Sequence, residues 1–309
     1  MTRLSLLLTA AFAASAAPAL AQTRIGVAMT SFDNPFLTIL LNGIKDEAAQ
    51  AGDVELSLED AQLDVARQLN QVQNFVANGM DAIIVNAVDG DSTAAITRTA
   101  VEAGVPLVYV NHPPAELDAG MPAGTVFVGS NELDSGTMEA EAVCKLLDGK
   151  GRAVILMGPL ANHAALVRTK DVEDVFARSD CAITIVDKQT ANWNRVEAQD
   201  LVTSWLTAGT EFDAVVANND EMAIGGAQAL KAAGVSMQDV VIAGIDATPD
   251  GLAAMQAGDI DVTVFQNATR QGEEAVKAAA AMAAGQPVEG ALWVPFELVT
   301  PEGMAAYVK

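Results

Sequence analysis

Short apolar runs alternate with longer stretches in which apolar residues fall three or four apart. The runs are Arg24–Met29, Val54–Leu58, Ala82–Asn86, Pro106–Val110 and Thr125–Val128, then Ala153–Met157, Ala182–Val186, Asp213–Ala217, Val240–Ile245 and Asp261–Phe265. Most are continuously apolar, the pattern of strands buried on both faces in a parallel sheet. Leu37, Leu41, Ile44 and Ala48 form one of the helical stripes between them. Asn34-Pro35 supplies its N-cap and first-turn proline. Gly104 and Gly234 read as helix stops ahead of the next strand. Roughly ten βα units are too many for one ordinary doubly wound sheet, so two α/β sheets of about five strands each fit best. An eight-unit barrel is the structural competitor.

Ligands of parallel α/β sheets bind beyond the carboxyl ends of the strands. Those ends carry Thr30 to Phe36, Asn86, Asn111-His112, Asn162-His163 leading towards Arg168, Asn192 to Arg195, Asn218 to Met222, Gly244-Ile245-Asp246 and Phe265-Gln266-Asn267. Amides donate and accept together, and carboxylates accept twice, so this set suits hydroxyl groups, which also do both. Phe36 and Trp193 can cover the apolar faces of a ring. No nucleophile stands beside a base. Asp220-Glu221 is the nearest pair of acids, but neighbouring residues rarely converge on one bond. The chain has no G-x-G-x-x-G, no phosphate-cradling G-x-x-x-x-G-K-[ST], no G-x-S-x-G and no H-E-x-x-H. No cofactor or metal site is expected. His112 and His163, the two histidines, lie far apart in sequence.

Composition narrows the partners. The 309 residues carry 17 Lys plus Arg against 40 Asp plus Glu, a net charge of -23. That balance argues against nucleic acid and against anionic lipid surfaces. The apolar content, 51% with 18% charged residues, excludes a disordered chain. Residues 1–21 read as a secretory signal peptide: Arg3, an apolar run from Leu4 to Ala17, and an Ala19-Leu20-Ala21 cleavage site. The address is a bacterial periplasm, and no cysteine follows the cleavage site to take a lipid. Two cysteines remain, Cys144 at a helix end and Cys181 at a strand start. They form a disulfide in an oxidising compartment or stay as small buried thiols.

Five segments carry a family resemblance: SFDNPF, GMDAIIVN, AGVPLVYVN, NNDEMAIGGAQALKAAG and GIDATPDG. With them the chain resembles the periplasmic sugar-binding proteins of the ribose and galactose type, which feed ABC importers. The VPLVYVN stretch is most similar to the branch with inositol- and rhizopine-binding proteins. The resemblance implies two Rossmann-like domains joined by a three-crossover hinge, residues 22–125 with 267–295 and residues 126–266 with 296–309. It implies a ligand cleft between them that closes on a small neutral sugar or cyclic polyol. It places Asn34, Phe36, Asn86, Asn111 and His112 on the first wall, Arg168, Trp193, Asn219 and Asp246 on the second, and Gln266 at a crossover. Asn111-His112 stands where such proteins usually hold an Asp-Arg pair, and Leu37 stands where ribose binders have a second aromatic. The implied partner is an inner-membrane permease, with a monomeric carrier. Presentation to a chemoreceptor and a secreted sugar-modifying enzyme are the alternative roles.

Overall fold

The computed structural model describes residues 22–308; the signal-peptide expectation lies outside them. The first half runs β1 (Thr23–Met29), α1 (Pro35–Ala51), β2 (Val54–Asp60), α2 (Val65–Ala77), β3 (Ala82–Val85), α3 (Ala94–Ala103), β4 (Leu107–Val110) and β5 (Thr125–Gly129). The second runs α4 (Glu132–Leu146), β6 (Lys150–Met157), α5 (His163–Phe176), β7 (Ala182–Thr190), α6 (Arg195–Thr207), β8 (Ala214–Ala217), α7 (Asp220–Ala232), β9 (Val241–Ala243), α8 (Pro249–Gln256) and β10 (Thr263–Phe265). Then come α9 (Ala268–Ala283), β11 (Ala291–Trp293) and β12 (Glu297–Val299).

Two parallel sheets result. The first has the order β11-β5-β4-β3-β1-β2; the second has the order β7-β6-β8-β9. Single parallel bridges, Ala243 to Val262 and Asp246 to Phe265, carry the second sheet on towards β10, which pairs antiparallel with β12. Each sheet is covered on both faces, which explains the unbroken apolar runs. On β1, Ile25 and Val27 face the layer of α1 and α9, while Ala28 faces α2 and α3. On β6, Val154 and Leu156 face α6 and α7, while Ala153 and Ile155 face α4 and α5.

The chain passes between lobes after β5, after β10 and after β11. Because β5 joins the first sheet along its whole length, the first passage falls after Gly129 rather than at residue 125. His112, just beyond β4, meets Asn162, at the start of α5, so the C-terminal ends of the two sheets are linked at this point.

Cys144 at the end of α4 is bonded to Cys181 just before β7, with the Cα atoms 5.7 Å apart. The bond closes 37 residues of the second lobe. Among the described residues, no helix is long and apolar enough to cross a membrane.

Candidate functional site

The second wall is built around Arg168. It sits one turn into α5, whose N-terminus is capped by Asn162 accepting from the Ala164 and Ala165 amides. Gly136 lets α4 lie directly on this turn: a Cβ there would stand 2.6 Å from the Arg168 carbonyl oxygen. That contact delivers Glu132, at the start of α4, to the guanidinium. Arg168 Nε donates to Glu132 Oε2 at 2.8 Å, and Nη2 donates to Oε1 at 3.2 Å. Nη2 also reaches Gln266 Oε1 at 3.3 Å, and Nη1 donates to the Asn218 carbonyl at 2.8 Å. Arg168 is 4% exposed. Desolvation opposes its charge, but Glu132 and Asp246 raise its pKa overall.

Asp246 stands 3.9 Å from Arg168 Nη1. Its carboxylate has no hydrogen bond from another described residue, although the residue is 6% exposed. Burial pushes this carboxyl well above its ordinary value, against the pull of Arg168. Its φ is 121°, and that of Ala247 is 48°. Such geometry costs about 1–3 kcal/mol per residue and persists only where the surroundings over-determine it. Here Asp246 N donates to Val264 O at 2.8 Å, and Ala247 N donates to Thr263 Oγ1 at 3.2 Å. Asp220 braces the same loop, accepting from Thr263 Oγ1 at 2.6 Å and Thr248 N at 2.8 Å. Burial raises the Asp220 carboxyl to about 7 despite these bonds.

Trp193 has φ of 60° and lies flat on Gly158, where a Cβ would come 2.2 Å from the indole. The Arg168 guanidinium carbon is 5.8 Å from the Trp193 ring centroid and 5.9 Å from that of Phe296. Asn219 caps α7 by accepting from Met222 N at 3.0 Å, which leaves its amide N–H groups unspent.

The first wall is uncharged. Asn34 caps α1 through Leu37 N at 3.0 Å, again leaving its donors free. Phe36 is buried in the layer under α1. Asn111 has φ of 64°, which Asn tolerates. Its Nδ2 donates to Gln271 Oε1 at 3.1 Å, and Gln271 in turn donates to Ser130 Oγ at 2.9 Å. The Asn111 amide oxygen stays available.

Two expected wall residues take other roles. Asn86 is fully buried: its Nδ2 donates to the Val110 carbonyl at 3.1 Å, and its Oδ1 faces Thr30 N at 3.4 Å. It stitches the ends of three strands beneath the wall. His112 spends both ring nitrogens on protein. Nδ1 lies 2.6 Å from the Ala87 carbonyl and so carries the proton, leaving Nε2 to accept from Asn162 Nδ2 at 3.4 Å. Burial lowers its pKa, which keeps the ring neutral. Asn162 belongs to α5, on the second sheet, so this contact ties the two sheets' ends together.

Glu132, Gln271 and Phe296 were not foreseen from the sequence, whereas Asn162 stood among the strand-end residues. Glu132 follows the fifth strand in Ser130-Asn131-Glu132, the same strand-end position as the expected residues. An acid there also reads as an ordinary first-turn helix residue, which hides it.

Residues 25–287 match the family described as the periplasmic binding protein domain. The chain belongs to this family. A protein of Rhizobium meliloti named for rhizopine binding is 55% identical over 284 residues, 92% of each chain. A xylitol-binding protein of Mycolicibacterium smegmatis is 37% identical over 86% of this chain and 74% of its own. An ABC transporter solute-binding protein from Bacillus halodurans, solved with bound myo-inositol, is 41% identical. It aligns with a TM-score of 0.88 over 94% of this chain and 99% of that one.

Proposed function

We propose that this periplasmic binding protein captures a monosaccharide or cyclic polyol, with an inositol-like ring as the leading candidate, and delivers it to an ABC permease. The carrying observation is the set of unspent edges left after each side chain's own structural bonds are counted. Asn34 and Asn219 keep amide donors, Asn111 keeps its carbonyl, and Asp246 keeps a whole carboxylate. Such donors and acceptors, with the Trp193 ring beside Arg168, suit the hydroxyls and apolar faces of a polyol ring. The bound myo-inositol of the Bacillus halodurans structure and the xylitol named for the mycobacterial relative support the same ligand class.

The mechanism is hinge closure. Only the closed form brings both walls to the ligand, so the ligand favours that form. Micromolar affinity corresponds to about 8 kcal/mol. For a ring of about 12 heavy atoms that is roughly 0.7 kcal/mol per atom, below the ceiling of about 1.5 for very small ligands. Hydrogen bonds to the buried Asp246 carboxyl and to the unspent amides are strong enough to supply it. The permease recognises the closed pair of lobes. Binding leaves the ligand unaltered: Asp220 is tied to threonines, and Glu221 pairs with Arg195 at 2.7 Å, so the two acids share no substrate. The periplasm is the site of action, reached through the leader of residues 1–21.

A thermal-shift screen of residues 22–309 against neutral sugars and polyols tests this. Ligand at 1,000 times its Kd stabilises by about 4 kcal/mol, a clear rise in Tm. If no neutral sugar or polyol raises Tm, the ligand class is wrong.

A further inference from the structure

We propose that Glu132 sets the charge selectivity of the site: by engaging Arg168 internally, it makes the cleft accept neutral polyols and refuse carboxylated ones. The inference rests on the polyol reading above and adds the residue that draws its boundary.

A buried arginine facing a cleft is ordinarily a carboxylate receptor, because its two-pronged edge matches two oxygens. Here that edge is taken. Nε and Nη2 face the two oxygens of Glu132 at 2.8 and 3.2 Å. Gln266 takes a further Nη2 contact at 3.3 Å, and the Asn218 carbonyl takes Nη1 at 2.8 Å. What remains points towards Asp246 at 3.9 Å.

Glu132 is held where it is. It begins α4, where the helix dipole favours a negative charge. Ser135 Oγ donates to it at 3.2 Å, and Gly136 seats α4 against α5. Glu132 already matches the single guanidinium charge one for one, with two hydrogen bonds. The opposite wall adds no cation, since Asn34 and Asn111 are neutral and His112 donates its proton to a carbonyl. A ligand carboxylate would therefore be desolvated beside Glu132 and Asp246 with no free counter-ion, a built-in penalty against acids.

The test compares myo-inositol with quinate, a carbocyclic polyol bearing a carboxylate, by calorimetry at one ionic strength. Wild-type protein should bind quinate at least 100-fold more weakly. Glu132→Gln keeps the shape and frees the Arg168 charge, so the ratio of the two affinities should shrink at least tenfold. Glu132→Asp keeps the charge, so the ratio should stay within threefold of wild type even if both affinities fall. A purely structural residue would lower Tm and both affinities together and leave the ratio alone. An unchanged ratio in Glu132→Gln overturns the proposal, as does wild-type protein that binds quinate as well as myo-inositol. If wild-type protein binds no neutral sugar or polyol at all, the polyol reading falls first and takes this inference with it.

Discussion

The two walls of the cleft are made from the same kind of strand ends but from opposite chemistry. The first lobe offers the amides of Asn34 and Asn111, with a neutral, protein-bonded His112 beside them. The second buries an arginine among carboxylates: Glu132, Asp246 and, behind them, Asp220 and Glu139. Both oxygens of Glu139 lack a hydrogen-bond partner, and burial holds that carboxyl well above its ordinary value. The second lobe also carries the disulfide. The difference assigns the labour. A charged, pre-bonded wall costs much to build and is fixed in place. A neutral wall is cheap to desolvate, which suits the wall that the proposed hinge closure would bring to the ligand last.

The comparison is broken most severely at Arg168. Arg168→Ala leaves Glu132 and Asp246 buried without their cation and should cost about 3–5 kcal/mol of stability, with loss of polyol binding. Chemical denaturation and titration check it; a well-folded variant that still binds would mean the ion pair is not central. Next comes the disulfide. Replacing Cys144 and Cys181 with serine frees a 37-residue loop in the unfolded state, an expected loss of about 3–4 kcal/mol. Limited proteolysis should locate the weakening in residues 130–266, not in the first lobe.

Asp171, on α5 one turn beyond Arg168, gives the pH arm. Burial, with help from the Asp174 charge, raises its carboxyl to about 7, and its Oδ2 has no partner. The protonated form suits the fold. Its stabilising contribution is therefore complete below about pH 4, the ordinary carboxylate range, and is lost as pH rises through about 7. Asp171→Asn should leave Tm unchanged at pH 4 and raise it at pH 8, by about 2–4 °C for each kcal/mol recovered. The smallest effect belongs to the neutral wall. Asn111→Ala removes one uncharged hydrogen bond to the ligand, about 0.5–1.5 kcal/mol, or roughly 2- to 13-fold in Kd. A loss above 100-fold would show that the first wall is not the lesser partner.

Much of this was legible in the chain. The strands β1 to β10 announced themselves as apolar runs, most of them because burial on both faces leaves no room for polar alternation. β11 and β12 did not: Ala291–Trp293 and Glu297–Val299 are three residues each, with Trp293 and Leu298 exposed. β7 continues to Thr190, beyond the apolar run, because an edge strand needs to bury only part of itself. At the site, strand-end position identified residues but not their bonds. Asn86 and His112 lie at strand ends as expected, yet their amide and ring edges are satisfied by Val110, Ala87 and Asn162, partners set by the fold. Glu132 shows the converse. Only the contact of α4 on α5 at Gly136 brings it to Arg168, and no local pattern encodes that meeting.

The decisive measurement is a calorimetric titration of myo-inositol into wild-type protein and into Asp246→Ala. If the charged wall carries recognition, wild type binds one equivalent, and the variant, with its partners left unmatched, binds more than tenfold more weakly. Equal affinity in the two proteins would contradict the account.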